Sequence, residues 1–490
     1  MKKYIIAFLS VSLLASCTKD LTSLNEDIKN PSSVPSYSLF TSAQRELMSN
    51  LTTSDVNTNV FRLITQQWQE TTYTDESNYD FSTRPIPDNI WNHLYRDVLI
   101  DLESSKKLIP TDVSDATVQK NQLAVLDIME VCTWYYLVTT YGNIPYTEAL
   151  NPDLLFPKYD DAKTIQDDLF TRINADIATL STGGSSFDGA DIIFNGDVAS
   201  WKKFANSFKL KMAMTIADSD NAQAKTAAEE AVASGVFTAN TDNASFEFSS
   251  STPNTNPVWL DQIQGGRTDF VAATTLTTQM NTLSDPRRPY YFTVDDKNAY
   301  SGGSIGAPSS FARFSKPVFA KVSASDPATT FLGVPNAPAL LMDYSEVEFC
   351  LAEAAARGYA VGGTAAEHYT KAIVGSMAYW MGVTETVAAT TPSVVAYLAQ
   401  VNYATTPGTY KQKIGLQKWL ALYNRGWDAW IDIRKFDYPA MAVPIDFLSG
   451  YPNRLTYPVK EQNVNVVNFK AASDAIGGNT VETKLYWDKF

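Results

Sequence analysis

Ser345-Glu346-Val347-Glu348-Phe349-Cys350-Leu351-Ala352-Glu353-Ala354-Ala355-Ala356-Arg357-Gly358, followed after a short turn by Thr364-Ala365-Ala366-Glu367-His368-Tyr369 and a run to Trp380, decides the architecture. Val347, Cys350, Leu351, Ala354 and Gly358 recur at the three- and four-residue spacing that lines up one helical face. Ser345 and Glu348 read as a capping box at the start of that helix, and Thr364 and Glu367 as a box at the start of the next. The second stripe is Tyr369, Ala372, Ile373, Ser376 and Trp380. With Tyr359 to Gly363 as the connection, the segment is a helical hairpin. Its alanine-rich face permits the close approach that stacked helical repeats need.

Outward from the hairpin the same periodicity recurs. A long helix is expected from Ala116 to Tyr141, stopping at Gly142, which suits the backbone just past a helix end. Further helices are expected over 162–180, 198–217 and 222–234, and three helical stretches over 37–109 around a polar, aromatic loop at 72–84. Between 237 and 339 the chain turns to Thr, Ser, Asn, Gly, Pro and aromatic residues without a sustained helical stripe. Its aromatic content argues for ordered functional loops, because disordered segments are poor in rings.

The N-terminus carries a different message. Met1-Lys2-Lys3 is a positive start, Tyr4 to Leu14 an apolar run too short to span a bilayer, and Leu14-Ala15-Ser16-Cys17 places small residues before a cysteine. This is the pattern of a bacterial lipoprotein signal, with residues 1–16 removed and Cys17 lipidated. Residues 17–36 then form a polar tether that its prolines keep from being helical. No later segment reaches eighteen consecutive apolar residues, so the lipid is expected to be the membrane attachment.

Composition narrows the chemistry. A net charge of -14 disfavours nucleic-acid binding, which needs clustered Lys and Arg. Only two histidines occur, His93 and His368, and both sit on helical patterns, so neither a zinc site nor a Ser-His-Asp hydrolase has its parts. Cys132 and Cys350 lie inside apolar stripes and read as buried free thiols. Neither phosphate-cradling nor EF-hand spacing occurs, and no metal or cofactor is expected.

Several segments together resemble the SusD/RagB family of nutrient-binding outer-membrane lipoproteins of Bacteroidetes, in particular its second SusD-like branch. They are Tyr141-Gly142-Asn143-Ile144-Pro145-Tyr146; Gly196-Asp197 with Trp201-Lys202-Lys203-Phe204-Ala205-Asn206-Ser207-Phe208-Lys209-Leu210; and Asp285-Pro286-Arg287. Tyr344-Ser345-Glu346, Gly426-Trp427-Asp428-Ala429-Trp430 and Arg454-Leu455-Thr456-Tyr457-Pro458 complete the order. Physically these look structural: Trp201, Phe204 and Leu210 on one packed side, Asp197 as a cap, Asn206 as a bridge between neighbours, Arg287 and Arg454 as anchors for loop carbonyls.

The resemblance implies a mostly α fold, a tetratricopeptide-like helical-repeat scaffold carrying a large irregular half. It would be a single domain over 37–490, with the scaffold at about 37–236 and 340–440 and the ligand region at about 237–339. It further implies a protein without catalytic residues, lipid-anchored to the outer membrane and facing the cell exterior. Such a protein captures glycan for a SusC-like TonB-dependent transporter. Peptide cargo is the alternative, and a two-carboxylate glycoside hydrolase a more distant one. Sugar capture needs aromatic faces beside amide, carboxylate or guanidinium groups in loops. The candidates are Tyr79 and Phe81 in the first loop, Trp259 with Asp261, Gln262 and Arg267, and Tyr300 beside Gly302-Gly303.

Overall fold

In the computed structural model, which describes residues 34–318 and 333–490, the hairpin is formed by helices Tyr344–Ala356 and Ala365–Met381. Its second capping box closes as expected: Glu367 N donates to Thr364 Oγ1 at 3.2 Å and Thr364 N to Glu367 Oε2 at 2.7 Å. The first does not. Asp343, one residue before the helix, caps it by accepting from Glu346 N at 2.7 Å, which a carboxylate does at least as well as a hydroxyl. Ser345 is thereby free to donate across the hairpin to Ala372 O at 2.8 Å. Gly375 marks the crossing, where a Cβ would come 2.9 Å from the Tyr344 ring.

Glu348, the other half of the expected box, pairs instead with His368. The imidazole Nδ1 lies 2.6 Å from Glu348 Oε2 and Nε2 lies 2.7 Å from Gly362 O. Carboxylate and carbonyl are both acceptors, so the ring satisfies them only by carrying both protons. Burial pulls the histidine down, but the bonds to Glu348 and Gly362 outweigh it, and its pKa stands above the ordinary 6.5. A raised histidine stabilises the fold below its unfolded pKa, and that contribution is lost as pH rises through the folded one. The melting temperature of His368→Gln is therefore expected to lie well below wild type at about pH 6 and to converge on it toward about pH 9. A pH-independent gap would contradict the charged pair.

Eighteen α-helices are formed by the described residues, which make the protein mostly α on a tetratricopeptide-like scaffold. The long helix runs Ala116–Tyr141, capped by Asp115 and ended by Gly142 at φ 86°. By length and composition it could cross a membrane, although polar residues interrupt it and it holds no run of eighteen apolar residues. Yet 89% of its apolar window is buried inside the protein, which identifies it as the central core helix. Against it pack Ser36–Thr52, Ile100–Asp112, Ala162–Thr179 and Val198–Ile216, and Asn221–Ser234 packs in turn on Val198–Ile216. Asp197 caps Val198–Ile216 through Ser200 N, as expected, while the Asn206 amide donates back to Lys202 O within its own helix rather than to a neighbouring element. Cys132 and Cys350 are free and buried. Cys17 and the tether as far as residue 33 fall outside the described residues, and the expected tether ends earlier than residue 36, since Pro35 stands at the N-cap of a helix that begins at Ser36.

The scaffold is held by charges as well as by rings. Lys211 Nζ, fully inside, lies 2.9 Å from Glu346 Oε1 and 2.5 Å from Asp428 Oδ1. Arg425 closes the cluster onto the same two carboxylates, and Tyr136 donates to Asp428 at 2.9 Å. Four helices, Ala116–Tyr141, Val198–Ile216, Tyr344–Ala356 and Gly426–Phe436, meet here. Arg287 forks onto the Asp285 carboxylate and reaches Ser376 Oγ at 3.0 Å rather than binding loop carbonyls. Arg454 does reach a carbonyl, Tyr141 O at 3.0 Å, and also Asn479 Oδ1 at 2.8 Å.

The stretch expected to be irregular is stitched to the scaffold by two short antiparallel ribbons. Trp68–Glu70 pairs with Phe270–Ala272, and Ala244–Phe246 with Ala339–Met342. A nine-residue helix, Thr274–Thr282, also stands within it.

Candidate ligand-binding cleft

The first ribbon builds a site. Its register sets Glu70 opposite Phe270, and the pairing continues beyond the strands: Thr71 N donates to Asp269 O at 2.8 Å and Thr71 Oγ1 to Thr268 O at 2.9 Å. This brings 70–73 beside 267–270. The turn after helix Ser36–Thr52 comes to the same place, because Ser54 Oγ donates to Asp261 Oδ2 at 3.0 Å. The segments enclose a cleft of about 320 Å³ lined by Ser54, Asp55, Asn57, Glu70, Tyr73, Arg84, Asp261, Gln262, Arg267 and Asp269, among others.

Tyr73 gives the cleft an open aromatic face, being 74% exposed. Opposite it the wall is polar. Gln262 is buried and donates through Nε2 to Ser54 Oγ at 3.1 Å. Glu70 accepts from Ser77 N at 3.0 Å and Ser77 Oγ at 2.8 Å. Burial, together with the neighbouring Glu76 carboxylate, pushes Glu70 up to about 9, so it is protonated at neutral pH and shares its proton with Glu76. Arg84 Nη1 meets Glu76 Oε1 at 3.1 Å, and Arg267 pairs with Asp269. An exposed ring beside fixed donors and acceptors can stack on the C–H face of a sugar and bond its hydroxyls.

Of the residues singled out from sequence, the structure gathers Asp261, Gln262 and Arg267 in this cleft. The others lie elsewhere. Tyr79 and Phe81 belong to the hydrophobic core at 5% and 6% exposure, with the Tyr79 hydroxyl accepting from Gln66 Nε2, so neither ring has an open face. Trp259 begins the irregular helical turn that carries Asp261 and Gln262, but it is half-buried and does not line the cleft. Tyr300 is packed against the second hydrophobic cluster and covered by the Arg288 guanidinium at 5.4 Å. Sequence reasoning missed Tyr73, Asp55, Glu70, Arg84 and Asp269. The available signal for Tyr73 was its setting, Thr71-Thr72-Tyr73-Thr74-Asp75, a ring with no apolar neighbour to pack beside.

A larger groove of about 540 Å³ passes Trp91, Tyr95, Ile100 and Pro157. Its tryptophan is 7% exposed and meets the edges of Tyr141 and Tyr457, which leaves no ring face for a ligand. Among the described residues no group of three or more His, Cys, Asp or Glu is placed to hold a metal ion.

The model of a SusD-like family, described as starch-binding and associating with the outer membrane, matches residues 28–458. A solved chitin-binding protein is similar over 93% of this chain and 100% of its own, at 25% identity and a TM-score of 0.78. A SusD homologue from Bacteroides uniformis is similar over 93% and 100%, at 25% identity and 0.75. A chitin-binding SusD homologue from Flavobacterium johnsoniae shares the fold over 92% and 98%, at 22% identity and 0.75. No curated protein sequence matches the chain.

Proposed function

Because this chain belongs to the SusD-like family of starch-binding proteins that associate with the outer membrane, we propose that it is a surface lipoprotein capturing oligosaccharide in the Tyr73 cleft. It delivers the glycan to a SusC-like TonB-dependent transporter. The observation that carries this reading is the convergence of one open ring with buried, fixed polar groups on a rigid ribbon. Chitin-binding by the similar protein supports a glycan cargo. Lipidation at Cys17 keeps the protein on the membrane, and 37–490 acts as one domain whose ligand site draws on both the first loop and the 237–339 region. The protein binds without cleaving, a reading supported by the similar solved protein, which is described as chitin-binding.

The test is retention on a panel of insoluble starch, chitin and other polysaccharides, with assay of released reducing ends and of co-purifying membrane proteins. Retention on at least one glycan, no new reducing ends, and a co-purifying outer-membrane transporter are expected. Released ends would make the protein a hydrolase, and retention on peptides alone would make peptide the cargo.

A further inference from the structure

We infer that the cleft selects glycans bearing free, protonated amino groups, an inference that deepens the glycan-capture reading and rests on it. The acidic and basic side chains lining the cleft are Asp55, Glu70, Asp261 and Asp269 against Arg84 and Arg267. Each cation already has its own carboxylate: Arg267 is paired with Asp269, and Arg84 turns away to Glu76. Asp55 and Asp261 form no ion pair among the described residues, so the wall keeps two acids without a dedicated cation. Glu70 adds no positive charge in either protonation state. Burial raises the Asp261 pKa and the Asp55 carboxylate raises it further, although Ser54 and Arg267 oppose them; a bound cation would relieve that repulsion.

A second observation is independent of this tally. The Ser54 hydroxyl has a single proton, and it goes to Asp261 Oδ2. Ser54 therefore accepts from Gln262 Nε2, which fixes the amide and makes its other atom, Oε1, the acceptor. That atom is buried in the cleft wall, on a side chain 6% exposed, and has no hydrogen-bond partner among the described residues. A buried acceptor left empty is unfavourable until a donor reaches it. The cleft thus offers acceptors and negative charge beside the open face of Tyr73. An ammonium group supplies three donors and a positive charge, and an aromatic face attracts it. An N-acetyl group supplies one N–H and no charge; a hydroxyl supplies one donor and no charge. Amino-sugar oligomers are the glycan class that combines this cation with C–H faces for Tyr73.

Calorimetric titration of the whole protein with hexamers of glucosamine, N-acetylglucosamine and glucose, and with hexalysine, tests the inference. The glucosamine hexamer is expected to bind about fivefold tighter than its acetylated counterpart at low salt, as for a half-exposed ion pair, with the margin shrinking as salt is added. Asp261→Asn, and separately the exposed Asp55→Asn in case the first perturbs the wall, should each narrow that margin. Equal affinity for the three sugar hexamers, all lost in Tyr73→Ala, would overturn the inference and leave glycan capture standing. A margin untouched by both aspartate variants would overturn it as well. Hexalysine binding tighter than any sugar would replace glycan by peptide, and failure of every sugar to bind would remove the glycan reading itself.

Discussion

Lys211→Met is expected to cost about 3–5 kcal/mol of folding stability, the loss typical when one partner is removed from a buried ionic cluster. Methionine fills most of the lysine volume, so the cost is not chiefly a cavity. It arises because Glu346 and Asp428 stay inside with Arg425 as their remaining direct cationic partner, at 2.6 and 2.7 Å. Burial holds the Lys211 ammonium back, but Asp428 and Glu346 reverse this and carry its pKa well above the ordinary lysine value, so the charge persists throughout the useful pH range. Chemical denaturation of wild type and variant measures the difference. The control is Lys470→Ala, whose partner Asp474 is as exposed as itself and whose loss should lie below about 1 kcal/mol. A Lys211→Met penalty no larger than that of Lys470→Ala would mean that the cluster does not hold the four helices together.

Tyr73→Ala should weaken glycan binding roughly thirtyfold, about 2 kcal/mol, while leaving the melting temperature within error of wild type. The two parts of this expectation have separate causes. The ring is 74% exposed, so its removal opens no cavity and uncovers little core. In the bound state it would be the largest apolar surface offered to the sugar, with Gln262 and Asp261 placing the hydroxyls beside it. Affinity for the best glycan of the polysaccharide panel, measured by calorimetry, checks both parts together with a thermal melt. Unchanged affinity would shift the site away from the cleft, and a lowered melting temperature would make Tyr73 a packing residue.

Much of the scaffold was legible because helix signals are local. Residues three and four apart share a face, Asp197 announces a start, and Gly142 announces a stop, whatever the rest of the chain does. Ser345 shows where locality fails. Its spacing to Glu348 satisfies the box rule, yet Asp343 competes for the same backbone donors from a better position, and only the partner helix reveals what Ser345 and Glu348 do instead. The site was half legible for a related reason. Asp261, Gln262 and Arg267 stand in a polar stretch that can only face a loop or solvent, whereas Tyr79 and Phe81 look equally loop-like and fill the core. Nothing local separates an open ring from a buried one, since burial is decided by residues such as Gln66 and Tyr451, distant along the chain or in another element. The contribution of 54–57 depends on a contact between Ser54 and Asp261, which sequence spacing does not encode.

The ionic cluster also sets an order of events. Lys211 and Asp428 are 217 residues apart, so the amine is synthesised, and in an exported chain crosses the membrane, long before its counter-charge exists in folded form. Burying the Lys211 ammonium without Glu346 and Asp428 would cost more than its helix packing returns, so the four-helix contact depends on residues from the second half of the chain. The lysine that locks the finished scaffold thus ties the first half of the chain to its second, and the two halves share one keystone.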